Sequence, residues 1–306
     1  MFLDEVHKYK NWARELKNIY DTYKDLSIVF TGSSIIDLLK LDVDLSRRAI
    51  TYHLHGLSFR EYLEITGIAK LKPIDLKTVI SDHTKVATQI AEKIKPLLHF
   101  DKYLKTGYYP YFIENLKVYY RRLEQTLNLV IESDLNFIEG FDAKNVIKLK
   151  QLLYILSANV PFKPNIVKLS EKTGINRNTL VTYIHYLEKA QLINAIYPSG
   201  ISTSILQKPE KIYLNNTNLS YLLSEEKPNI GNIRETFFLN QLQCKHLVKA
   251  ATKGDFVVDE KYIFEVGGKN KSQEQIYGLK NAFIVSDDIE SGVYNKIPLW
   301  LFGFLY

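Results

Sequence analysis

Apolar residues open the chain as a short run, Met1-Phe2-Leu3, that stops at Asp4-Glu5. Positions 12, 16, 19 and 20 are then apolar at the interval of one helix face, which predicts a helix over Trp12–Tyr20. Leu26–Phe30 is a β-rich run closed by Thr31-Gly32-Ser33-Ser34. Strand, helix and strand in so short a stretch predict a βαβ unit with a parallel sheet, whose ligands sit at the carboxyl ends of the strands. Asp4, Glu5, Ser33 and Ser34 all fall at those ends. A helix over Ile35–Leu41, the pair Arg47-Arg48 and a third strand at Ile50–Leu54 complete a first segment, residues 1–57.

From Ser58 the period becomes helical, through Ser58–Ile65, Lys77–His99 and Ile113–Asn136, with breaks at Lys105-Thr106-Gly107 and Pro110. Residues 58–140 therefore predict a helical subdomain packed on the sheet as a lid. Its tyrosine-rich stretch Tyr108–Phe112 reads as core and turn packing, and His83 and His99 as structural. Residues 141–225 predict a winged helix-turn-helix. Its helices cover Val146–Ser157, Asn165–Thr173 (stopped by Gly174) and Asn178–Ala190 (capped from Asn176 or Asn178). Leu192–Tyr197 and Ile212–Leu214 then pair around the polar loop Ser199–Lys208. Residues 226–306 predict a helix over Asn232–His246 and a hairpin of Asp255–Asp259 with Tyr262–Val266, then a helix at Ser272–Leu279 and a strand at Asn281–Ser286.

Composition adds exclusions. At roughly 100–200 residues per domain, 306 residues make two or more domains, and 46% hydrophobic content supplies the apolar surface to order them. The single cysteine, Cys244, excludes a disulfide framework and fits a reducing, cytoplasmic setting. No apolar run approaches the roughly 18 residues of a membrane helix, and the acidic pair near Met1 is unlike a signal peptide. The net charge of +6 is mild for the length, but its distribution is uneven. Between Lys144 and Lys189, seven Lys and Arg177 face only Glu171 and Glu188, a local +6. On the third helix of the predicted winged helix, Arg177, Asn178, Thr179, Thr182, Tyr183 and His185 would meet a DNA major groove, with the lysines on phosphates. The same module also serves as a protein-docking surface.

The pieces FLDEVHKYKNW, VFTGSS, LSRRA followed by HLHGLSFREYL, and YLKTGYYPYF at Tyr103–Phe112 resemble the AAA-type P-loop ATPases that carry a C-terminal domain of unknown function. By that resemblance FLDE is the Walker B strand, with Asp4 holding Mg²⁺ and Glu5 polarising the attacking water. Ser33 or Ser34 would be the sensor that meets the γ-phosphate, and Arg47 or Arg48 an arginine finger. Taken singly, an Asp-Glu pair, a Thr-Gly-Ser-Ser turn and a surface Arg-Arg also occur without such roles.

No G-x-x-x-x-G-K-[ST] occurs anywhere in the sequence, so the cradle of backbone N–H groups and the phosphate-binding lysine are lacking. Since the family carries that loop upstream of Walker B, Met1 is expected to start midway through the fold, with the sheet missing a central strand. A truncated gene product, a misplaced start codon or a deliberate truncation would each do this. ATP and Mg²⁺ are the cofactors the resemblance implies for an intact relative, and this chain is expected to bind ATP poorly.

The terminal segment resembles the PD-(D/E)XK nucleases, with Asp255 and Glu265 on adjoining strands and Glu235 on the preceding helix. That chemistry uses carboxylates to hold Mg²⁺ and a lysine two residues past the glutamate, where this chain has Gly267. Lys269 and Lys271 follow in a Gly-Gly turn, out of register, so a degenerate domain used for binding or assembly is the expectation. Three readings result: an ATPase remnant, a non-catalytic module that binds DNA or protein, and a Mg²⁺-dependent nuclease. The partners they imply are DNA, a protein or a second copy of the chain, and no membrane.

Overall fold

The computed structural model describes residues 1–33, 45, 47–137, 145–158, 161–198, 209–224 and 226–306. At the amino end, β1 (Phe2–Leu3) lies parallel to β2 (Val29–Phe30), with Phe2 opposite Val29 and Leu3 opposite Phe30. Helix α1 (Trp12–Thr22) connects them and turns Trp12, Ala13 and Leu16 inward. These residues form a small core of their own with Val6, packed by Leu3, Ile28, Phe30 and Leu45. The predicted βαβ unit is thus present. The strand expected at Ile50–Leu54 is not: among the described residues that stretch pairs with no strand, and Ile50, Tyr52 and Leu54 are 80–101% exposed. An extended run with no neighbour leaves its ladder groups to water. The helix expected at Ile35–Leu41 lies outside the described residues.

Next come α2 (Phe59–Ile65), α3 (Leu76–Ala91), α4 (Pro96–Thr106), α5 (Tyr111–Asn115) and α6 (Tyr119–Glu132). Helix α2 starts on a reciprocal capping box: the Ser58 hydroxyl accepts the Glu61 N–H while Glu61 accepts from the Ser58 N–H. These helices contribute to a second, large core that runs from Phe59 to Leu305. Phe59 stacks edge-on against Phe100 and Phe304, and Ile74 N–H donates to the Phe304 carbonyl, so the chain's last turn is packed against its early helices.

Helices α7 (Val146–Ser157), α8 (Ile166–Thr173) and α9 (Arg177–Lys189) follow, then the antiparallel pair β3 (Ile193–Ile196) and β4 (Lys211–Leu214). Asn165 caps α8 through the Lys168 N–H, and Gly174 ends it at φ +63°, a left-handed conformation open to glycine without strain. Phe162 bridges to Ile212 and adds a third line to the hairpin. After α10 (Thr217–Leu223) and α11 (Ile230–Gln243), five strands form one sheet in the order β5-β6-β7-β8-β9: Val248–Ala250, Phe256–Val258, Tyr262–Gly267, Ala282–Ser286 and Lys296–Pro298. The first two pairings are antiparallel and the last two parallel. The helix predicted at Ser272–Leu279 is reduced to one 3₁₀ turn, Glu274–Ile276, because the chain leaves helical space at Tyr277 (ψ 132°) and turns on through Gly278 at φ +75°. The molecule is mixed α/β, and among the described residues no helix is long and apolar enough to cross a membrane.

Candidate functional sites

At the carboxyl ends of β1 and β2 the Thr31 hydroxyl donates to the Asp4 carboxylate and accepts the Glu5 N–H at 3.1 Å. Val6 N–H closes on the Thr31 carbonyl at 3.0 Å. Glu5 stands at φ 49°, and its exposed carboxylate pairs with Lys8. The acidic pair therefore projects from the strand ends toward open solvent, held by Thr31, the first residue of the Thr-Gly-Ser-Ser stretch.

The other members of the expected site are engaged elsewhere. The Ser33 hydroxyl donates to Asp134 at 2.6 Å, and its N–H to His7 Nδ1 at 3.2 Å. Arg48 grips both oxygens of Asp21 on α1, at 3.1 and 3.2 Å. Arg47 is exposed. Ser34 lies outside the described residues.

On α9, Arg177, Asn178, Thr179 and Thr182 are exposed on one face, and Thr182 donates back to the Asn178 carbonyl at 3.2 Å. Tyr183 is a correction. It is only 4% exposed and belongs to the large core with Leu180, Ile184 and Leu187, so it cannot face a groove. His185 is half-buried, 4.0 Å from Glu188, and burial lowers its pKa.

The terminal sheet brings several titratable groups together. Asp255 immediately precedes β6 and accepts the Val266 N–H at 2.9 Å, which sets its carboxylate beside the peptide that follows Glu265. Glu265, on β7, is 1% exposed, and the Lys271 ammonium pairs with it. The end of the Gln275 amide lies 3.2 Å from both oxygens of this carboxylate, and the amide orientation that satisfies both groups puts its nitrogen there. Lys211 on β4 reaches Asp255 at 3.8 Å. Glu235, one turn into α11, accepts the Tyr213 hydroxyl at 2.6 Å. Burial foremost, with the charge of Asp255, pushes the Glu235 pKa up, and burial does the same to Glu265 against the opposing pull of Lys271.

Lys271 reaches Glu265 by a specific path. A Cβ placed on Gly267 would lie 2.7 Å from both Cγ and Cδ of Lys271, so the lysine stem occupies the space a side chain at 267 would fill. The lysine set aside as out of register therefore sits on the buried glutamate. Lys211, Tyr213 and Gln275 escaped sequence reasoning, since each comes from outside the strand pair that carries the motif. The one available signal was a glycine where the pattern wanted a lysine, with two lysines shortly after it.

Residues 1–63 match the family model of an AAA domain. The AAA-like segment thus includes β1, β2, Asp4, Glu5 and Thr31, and such a relationship implies ATP and Mg²⁺ as cofactors of an intact relative. Residues 97–229 match a domain of unknown function, DUF8612. The chain is similar to an uncharacterized protein of Methanocaldococcus jannaschii, 29% identical over 305 residues, covering 90% of this chain and 63% of that protein. The chain therefore spans less than two thirds of that relative's length. No solved structure matches it.

Proposed function

We propose that the protein works as AAA-type ATPases do, with Asp4 and Glu5 forming the metal- and water-facing part of a nucleotide site and another stretch of polypeptide supplying the P-loop. The observation that carries this reading is the Thr31 bridge at the ends of two parallel strands, which orients Asp4 while Glu5 stays accessible. Mg²⁺ prefers one or two carboxylates together with water and phosphate oxygens, and the Asp4 oxygens suit it. Ser33 or Ser34 would serve as the sensor, with Thr31 orienting Asp4 beside it, and a finger role for Arg48 would require release from Asp21.

Calorimetric titration with Mg-ATP tests this. The chain by itself should bind weakly, and tight binding with turnover refutes the reading. Joined in frame to a P-loop-bearing segment, it should hydrolyse ATP, with Glu5→Gln keeping nucleotide affinity and losing about 10²-fold or more in rate.

A second reading, Mg²⁺-dependent cleavage of a DNA phosphodiester, is favoured by the lysine on Glu265. Asp255 and Glu265 are oxygen donors of the kind Mg²⁺ accepts. Among the described residues no three His, Cys, Asp or Glu side chains group closely enough to hold a metal unaided, so substrate phosphate would complete the shell. When bound, the ion would polarise the phosphoryl oxygen and neutralise developing charge. The exposed face of α9, with Arg177, Asn178, Thr179 and Thr182, supports DNA as the partner. Loss of Mg²⁺-dependent cleavage in Asp255→Ala is the expected result.

A further inference from the structure

Where the hairpin of β3 and β4 meets the edge of the five-stranded sheet, the Ala250 N–H donates to the Tyr197 carbonyl at 3.0 Å and Pro198 bridges to Ala250. Beside that joint lies a cleft of about 360 Å³. The end of α9 and β3 line one side of it, and the end of α11 and β5 the other. His55 joins the lining from the stretch before α2, its ring 6.2 Å from that of Tyr306. Three separate parts of the chain thus meet around one cavity. Its volume lies toward the lower end of the roughly 300–1,000 Å³ of small-molecule sites, which suits one compact molecule.

The ionisable groups of the lining are already matched. His246 Nδ1 lies 2.8 Å from Asp259 Oδ2, and the Lys249 ammonium donates to Glu260 at 2.7 Å. Burial raises the Glu188 pKa, against hydrogen bonds from the Ala195 N–H and the Tyr197 hydroxyl, and burial with the charge of His53 lowers that of His55. An anionic ligand would therefore have to displace a carboxylate from its cation. The amides differ. Gln191 stands at φ 57°, a left-handed conformation uncommon outside glycine. Its Oε1 accepts from Asn215 at 3.1 Å, and its amide nitrogen has no partner among the described residues. Gln243, the last residue of α11, makes no side-chain hydrogen bond among them at all. Asn194, by contrast, has both ends of its amide engaged by Asn215. Because a carboxylate only accepts, His246 Nδ1 carries the proton shared with Asp259, and Nε2 of the neutral ring is an acceptor.

A side-chain amide presents a donor beside an acceptor, the complement of adenine, whose N6 amino group donates next to the N7 acceptor. Guanine shows two acceptors on the same edge and is met by a cation, which this lining does not spare. We propose that the cleft between β3 and β5 binds an uncharged adenine nucleoside, with the base edge on the Gln243 amide, the ring face against Tyr197 and His55, and a ribose hydroxyl donating to His246 Nε2. Flat side chains stack on a base without regard to its charge. The free nitrogen of Gln191 donates to a remaining ring nitrogen, and the seated ligand touches all three parts of the chain that meet at the cleft.

The full chain is titrated calorimetrically with adenosine, with and without Mg²⁺. One adenosine should bind per chain, unaffected by Mg²⁺. AMP should bind about tenfold or more weakly, because its phosphate finds no free cation. The N6-dimethyl analogue of adenosine, which lacks the amino donors, should lose a similar factor, as should adenosine against Gln243→Leu, with the urea midpoint of the variant unchanged. Equal affinity for adenosine and its dimethyl analogue overturns the proposal on the unsubstituted protein, whatever the variant does to the fold. Failure of adenosine to bind at up to about 1 mM overturns it too. So does binding that requires Mg²⁺ and favours ATP, which belongs to the strand ends that carry Asp4, and so does binding of glucose in place of adenosine.

Discussion

Asn218 is the hub on which the helices before the terminal sheet are joined, and Asn218→Leu isolates its contribution. The residue is fully buried on α10. Its Oδ1 accepts the Tyr108 N–H at 2.8 Å and the Tyr119 hydroxyl, and its Nδ2 donates to the carbonyls of Leu104 at 2.9 Å and Tyr103 at 3.3 Å. Leucine keeps the approximate volume and removes the polar end. The two carbonyls stay satisfied, Leu104 by the Thr217 hydroxyl at 2.6 Å and Tyr103 by the Gly107 N–H at 2.8 Å. The Tyr108 N–H and the Tyr119 hydroxyl lose their acceptor inside a dry core. At about 1–3 kcal/mol for each orphaned group, less a modest gain from the added apolar atoms, the expected loss is about 3 kcal/mol. Urea unfolding should show it as a lower midpoint at unchanged slope. Tyr119→Phe removes one of the two donors and should cost about 1 kcal/mol. Because the phenylalanine has no hydroxyl to lose its acceptor when Asn218 is replaced, the double variant should fall short of the summed losses by about 1 kcal/mol or more. A loss below about 1 kcal/mol for Asn218→Leu, or strict additivity with Tyr119→Phe, would refute the reasoning.

Other outcomes follow from the same contacts. Glu235 and Glu265 have pKa values raised in the folded state, so above the ordinary glutamate value near 4.5 the native protein holds more protons than the unfolded chain. Their contribution to stability must therefore fall as pH rises through that window, and Glu235→Gln should flatten the dependence in unfolding midpoints taken from pH 4.5 upward. Arg177→Ala should weaken DNA binding and reduce the salt slope by about one counterion; an unchanged slope removes α9 from the interface. Burial pushes the Cys244 thiol up to about 11, so alkylation at pH 8 should be far slower than for a free thiol until denaturant is added.

Much of the local architecture was legible along the chain. Apolar spacing located α1, α7, α8 and α9. Asn165 and Gly174 marked the start and stop of α8, and two apolar runs on either side of Glu260-Lys261 marked the hairpin of β6 and β7. These features depend on neighbours within a few positions, where sequence distance and spatial distance coincide. The failures have the opposite character. Tyr183 was assigned to a groove by residue type, whereas its place in the turn of α9 faces it inward beside Leu180 and Leu187. Ile50–Leu54 has a strand's composition, yet a strand exists only where another backbone lies alongside.

The candidate sites divide in the same way. Which carboxylates stand at strand ends was set by chain order: Asp4 and Glu5 after β1, Asp255 at the head of β6, Glu265 on β7. What each touches was decided by chain crossings. Thr31 meets Asp4 across 27 positions of sequence, Arg48 is drawn to Asp21, and Lys211 arrives at Asp255 from another hairpin. Lys271 comes from only six residues beyond Glu265; its nearness was visible in the sequence, but its pairing was not, because its course depends on the empty volume over Gly267. Periodicity and capping act through local backbone geometry and so are carried by the residue order; a charge partner is chosen by which side chains the folded backbone leaves within reach.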